Sequence, residues 1–132
     1  VIGHIPEKDG ILADLLMAEM VAKEGVTLKQ ALAQVAQRTG EYHTRRIDLH
    51  VSESVKGELM RRFREQPPNN LNGLHVVGTN LIDGVKLLLE GDAWVLVRPS
   101  GTEPLIRCYI EAHDEETLGG LKEAMQELVE EG

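Results

Sequence analysis

The sequence predicts an α+β protein in which a helical lead, residues 1–39, precedes an antiparallel sheet of order β-α-β4-α over residues 40–132. Three observations predict it. Apolar residues recur at helical spacing twice before Arg38, and near Glu41 the spacing changes to alternation. Four short strand-like runs separated by turn residues then lead into a last amphipathic stretch.

The elements follow in chain order. Asp9 through Lys23 carries two apolar stripes, Ile11-Leu15-Ala18 and Leu12-Leu16-Met20, the broad apolarity of a helix that sits inside a larger domain. Gly25 ends it. Thr27 with Gln30 makes a capping-box pattern that opens a second helix through Leu28, Leu32 and Val35 to about Arg38. From Glu41, residues His43, Arg45, Ile47, Leu49 and Val51 share one side of a first strand. Ser52 or Ser54 then caps a helix whose Val55, Leu59 and Phe63 fall at i, i+4 and i+8, and Pro67-Pro68-Asn69-Asn70 stops it. Strands are expected near 73–79, 83–90, 93–98 and 105–113, with turns at Asp83-Gly84 and Gly91-Asp92.

Asp114 caps the final helix, where Glu115 and Glu116 meet the positive end of the macrodipole. Leu118, Leu121, Met125, Leu128 and Val129 form its buried stripe. Gly119 and Gly120 each cost about 1 kcal/mol relative to alanine in a helix interior, which either tight packing or a bend would explain.

A chain of 132 residues with 42% hydrophobic content builds one core beside a helical appendage, and with 3% aromatics that core is aliphatic. A net charge of −8 argues against a nucleic-acid partner, because tracking a phosphate backbone needs a basic face. The apolar stretch from Ile11 to Val21 is interrupted by Asp14 and Glu19 and is too short for a membrane span, so no membrane partner is expected. A single cysteine cannot form an internal disulfide, and the cytoplasm is the expected compartment. Cys108 alternates with Ile106, Ile110 and Ala112, which places it on the buried face of a strand as a small hydrophobe. His43, His50, His75 and His113 have no metal-ligand spacing with one another or with Cys108, so no metal site is expected.

The segment Arg98-Pro99-Ser100-Gly101-Thr102-Glu103-Pro104 lies between two strand-like runs and has the chemistry of an oxyanion loop. It offers a guanidinium, two hydroxyls and several main-chain amides. Pro99 and Pro104 lack an N–H and bracket the four residues that can donate. Gly101 can take a positive φ and lets a ligand approach the backbone. Arg98, at a strand end, can aim its fork at a ligand. An ordinary hairpin connection uses the same turn residues, and on composition alone both readings stand. Glu103 is expected to hold Arg107 or a backbone N–H rather than touch an anion.

That run, followed by Arg107, Tyr109 and Glu111, resembles the C-terminal phosphate-binding loop of the α-D-phosphohexomutases, the family of phosphoglucomutase and phosphomannomutase. At the other end, Gly3-His4-Ile5-Pro6-Glu7-Lys8-Asp9-Gly10 resembles the segment that follows the family's sugar-recognition loop. The two motifs keep the family's order and extend the resemblance over essentially the whole chain.

The resemblance implies several things. Residues 1–39 are the helical end of the family's third domain, and residues 40–132 its fourth, an open-sheet, TATA-binding-protein-like domain. Arg98, Ser100, Gly101 and Thr102 contact a phosphate of a hexose phosphate. Arg107 assists them, or else pairs with Glu111 or a neighbour. Lys8 enters the cleft for proton transfer or phosphate contact, and His4 faces the same cleft. The family's phosphoserine, its Mg2+-binding loop and its sugar-recognition loop are absent from the sequence. The chain therefore reads as the C-terminal piece of a longer mutase, inactive alone, with Mg2+ bound outside it and the remaining domains of the enzyme as partners. The opening motif looks more like phosphoglucomutase or phosphomannomutase than phosphoglucosamine mutase. A non-catalytic protein- or nucleotide-binding module of the same fold is the alternative.

Overall fold

The computed structural model describes residues 9–130, so His4 and Lys8 lie outside the described residues. The chain divides into two compact units after Gly40.

The first unit holds helices α1 (Gly10–Glu24) and α2 (Leu28–Thr39). Asp9 caps α1 by accepting from Leu12 N at 2.9 Å, and Gly25 ends it at φ 63°, a left-handed cap that glycine takes without steric cost. Thr27 and Gln30 form the expected capping box on α2. Neither helix buries a residue, and Ile11, Leu15, Leu32 and Val35 are exposed.

The second unit contains β1 (His43–His50), α3 (Glu53–Glu65), β2 (Asn70–Leu71), β3 (Leu74–Asn80), β4 (Val85–Leu89), β5 (Trp94–Pro99), β6 (Leu105–Ala112) and α4 (Glu115–Glu130). The strands form one sheet of order β1-β6-β5-β4-β3-β2, every neighbouring pair antiparallel. The α+β architecture is that of the expected open, TATA-binding-protein-like sheet, with β1 returning to the last strand of the chain.

Period-2 alternation decides which face is covered. Val95 and Val97 on β5, Ile106, Cys108 and Ile110 on β6, and Leu87 on β4 form one hydrophobic cluster, aliphatic but for Phe63, with Leu59 and Phe63 of α3 and Leu118, Leu121 and Met125 of α4. Each of the Val, Ile, Leu, Phe and Met side chains among them contributes about 1.5–3 kcal/mol by leaving water. The intervening residues, among them Lys86, Trp94, Leu96, Arg98, Arg107 and Tyr109, share the opposite face. There Lys86 Nζ stands 3.7 Å over the Trp94 ring, and Trp94 Nε1 donates to Glu111 Oε1 at 2.7 Å.

Three local features add to the expected elements. Ser52, not Ser54, caps α3. Asn70–Leu71 pairs with β3 through a tight turn in which Asn72 and Gly73 have φ of 49° and 82°, the left-handed pair that an Asn-Gly hairpin requires. Gly120 is a packing glycine: a Cβ there would lie 2.0 Å from Asn72 Nδ2, whereas one at Gly119 would meet nothing within 4 Å.

Candidate phosphate site

Strands β5 and β6 deliver the candidate loop. Their register sets Arg98 directly opposite Arg107, and Arg107 in turn opposite Asp48 of β1. Two guanidiniums facing each other across a ladder destabilise it unless anions answer them. Each has one carboxylate: Arg98 reaches Asp83 Oδ1 at 3.2 Å, and Arg107 reaches Glu103 Oε2 at 2.7 Å. Glu103 thus holds Arg107, one of its two expected roles. Arg107 Nε is buried and has no acceptor among the described residues.

Asp83 comes from the β3–β4 turn, and Gly84 makes its approach possible. At φ 93° a Cβ on residue 84 would sit 2.3 Å from Val97 O and 2.8 Å from Arg98 Cγ. On the other side, Arg46 grips Asp48 through two hydrogen bonds, Nε to Oδ1 at 2.8 Å and Nη2 to Oδ2 at 2.5 Å. That grip, with a lesser contribution from Arg107, holds the Asp48 carboxyl below its ordinary value of 3.8.

The loop is braced from within. Ser100 N donates to Leu105 O at 3.0 Å, Leu105 N to Glu103 O at 2.8 Å, and Glu103 N to Ser100 Oγ at 3.2 Å. Val51 N fastens Pro104 O at 3.1 Å. Lys56 of α3 donates to Ser100 O at 3.0 Å and to Glu103 O at 3.3 Å.

The predicted site residues therefore separate. Arg98 and Thr102 are exposed, Arg107 stands beside them, and the amides of Gly101 and Thr102 donate to no acceptor among the described residues. Ser100 is only 3% exposed, and its hydroxyl oxygen closes the loop on Glu103 N. Of the four amides between the prolines, two are thus used internally. Gly101 does not take a positive φ, and a Cβ there would meet nothing within 4 Å, so open space lies above it.

Sequence reasoning missed Asp83 as a partner of Arg98 and Lys56 as a brace. The signal for Lys56 was its place on α3: it precedes Met60 by four and Phe63 by seven, on the face those buried residues define. Among the described residues no three His, Cys, Asp or Glu side chains come together as metal ligands. No described helix is long and apolar enough to cross a membrane.

Fold and loop together define a phosphohexomutase-type C-terminal domain. The family described as "Phosphoglucomutase/phosphomannomutase, C-terminal domain" matches residues 21–128, and the chain belongs to that family. It is similar to a "Probable phosphoglucosamine mutase" of Methanobrevibacter smithii, 32% identical over 123 residues, which is 93% of this chain and 26% of that protein. Similarly named proteins of Pyrococcus horikoshii and Methanopyrus kandleri are 31% and 34% identical over 121 residues, 92% of this chain and 25% of each relative. The chain spans about a quarter of the length of these relatives. The family description carries the glucose and mannose names, and these relatives the glucosamine one.

Proposed function

We propose that this chain is the substrate-phosphate module of a hexose-phosphate mutase. It binds the phosphate that is not reacting while another domain's phosphoserine, aided by Mg2+ held outside this chain, exchanges a phosphoryl group with the opposite end of the sugar. Arg98, the amides of Gly101 and Thr102, and the Thr102 hydroxyl hold the dianion, with Arg107 alongside. The Ser100 hydroxyl orders the loop and can still donate its own proton. Residues 1–39 belong to the preceding domain. The apolar surfaces of α1 and α2 pack within that domain.

The observation that carries this reading is the pairing of Arg98 with Arg107 beside two unbonded amides. An exposed pair such as Arg98–Asp83 contributes only about 0–1 kcal/mol. Hydrogen bonds from the guanidinium and amides to a phosphate contribute about 1.5–3 kcal/mol each. The phosphate therefore wins Arg98 from Asp83. Fixing the distal phosphate positions the sugar and draws the domain over it, binding energy spent on orientation.

Titrating glucose 1-phosphate into the 15N-labelled chain tests this. Amide shifts at Ser100 to Glu103, lost in Arg98→Ala, are expected. Shifts confined to α4 would replace the reading with the protein- or nucleotide-binding alternative.

A further inference from the structure

We propose that Lys56 is the positioning residue of the phosphate loop: its ammonium, rising from α3, holds the loop's carbonyls inward and thereby aims the Gly101 amide at the ligand. The inference rests on the phosphate-binding reading above and deepens it.

An ammonium has three donors, and all three of Lys56's are used: Glu53 Oε1 at 2.5 Å, Ser100 O at 3.0 Å and Glu103 O at 3.3 Å. The side chain is 11% exposed, while that of Glu53 is 70% exposed. Lysine in such a place is costly unless every donor is met, so its contacts are specified rather than incidental. The two carbonyls belong to Ser100 and Glu103, the first and last of the four residues between the prolines, and the bond to Ser100 spans 44 positions of sequence.

Peptide geometry turns this contact into function. In a trans peptide the C=O and the following N–H point in opposite directions. The Ser100 carbonyl is drawn toward α3, so the Gly101 N–H of the same peptide plane points away from α3. Leu105 N and Val51 N hold the carbonyls of Glu103 and Pro104, and Lys56 shares the former. The loop's bonded carbonyls thus face inward, and its free amides are left for an anion without reorganisation at the moment of binding. The ammonium also places a third positive charge behind the loop, with Arg98 and Arg107 in front. Its three donors form a tripod on one point, which a planar guanidinium cannot copy.

The test uses the whole chain and inorganic phosphate as the probe, at fixed ionic strength. In Lys56→Met the stem is kept and the donors are lost. The expected result is phosphate binding weakened about tenfold, the loss of roughly one charge-assisted hydrogen bond, at an unchanged number of bound phosphates. The Gly101 amide resonance should also move in phosphate-free protein, a change that a purely stabilising lysine would not single out. Lys56→Gln, which retains a donor for one carbonyl, should fall between wild type and Met, and it carries the comparison should Lys56→Met not fold. Wild type that binds phosphate at the loop with both variants within twofold of it overturns the role of Lys56 alone. Wild type whose loop amides ignore phosphate overturns the phosphate reading and this inference with it.

Discussion

Gly84→Ala couples the fold to the site, and its effect can be worked from the geometry. Residue 84 has φ 93°, and an added Cβ would stand 2.3 Å from Val97 O and 2.8 Å from Arg98 Cγ. The conformational part costs an L-residue about 1–2 kcal/mol. The steric part falls on the backbone of β5, whose Val97 pairs with Val85 and is fully buried, so relief requires a strand to move. Overpacking of this kind costs about 1–3 kcal/mol. Together the expected loss is about 3 kcal/mol, which for a unit of this size lowers Tm by roughly 12–24 °C.

Gly73 supplies the control. At φ 82° it has the same conformational demand, but a Cβ there would meet nothing within 4 Å. Gly73→Ala should therefore lose only about 1–2 kcal/mol. Urea unfolding of the two variants, followed by Trp94 fluorescence, separates the two terms. Equal losses would show that the contact with β5 carries no energy and would refute the reasoning. The displaced Arg98 should also weaken phosphate binding in Gly84→Ala and not in Gly73→Ala.

Two further outcomes follow from the core and the last helix. Burial pushes the Cys108 thiol from 9.0 to about 12. The unfolded chain then releases a proton that the folded one retains, so this group's stability contribution is whole below pH 9 and is lost as pH rises toward 12. Between pH 8 and pH 10 wild type should lose about 1 kcal/mol more than Cys108→Ala in urea unfolding, and native protein should resist thiol reagents. Equal pH slopes for the two proteins would contradict the burial argument. Gly119→Ala should stabilise α4 by up to about 1 kcal/mol by helix propensity, while Gly120→Ala should gain less or lose because Asn72 must move. Equal melting shifts for the two would remove the packing explanation of Gly120.

Most of the fold was legible because its signals are local. Thr27 with Gln30, Asp114 before Glu115 and Glu116, and the alternation through Ile106, Cys108 and Ile110 each specify an element within a few residues. Asn72-Gly73 was an equally local hairpin signal, hidden because the preceding Pro67-Pro68-Asn69-Asn70 already explained a break. The loop was legible as chemistry and not as geometry. Nothing in its residues tells that the Ser100 hydroxyl turns inward to Glu103 N, or that Gly101 keeps an ordinary φ. Those depend on Lys56 and Val51, which tertiary packing brings from far up the chain. Asp83 likewise reads as a turn residue until the β4–β5 pairing carries it to Arg98.

A crystal structure of this chain with a bound hexose phosphate tests most directly whether the 98–104 loop is a phosphate cradle. The expected result is a phosphate within hydrogen-bond distance of the Arg98 guanidinium and of the Gly101 and Thr102 amides, with Asp83 released. A sugar phosphate bound elsewhere, with Arg98 still on Asp83 and the loop amides facing water, would contradict it.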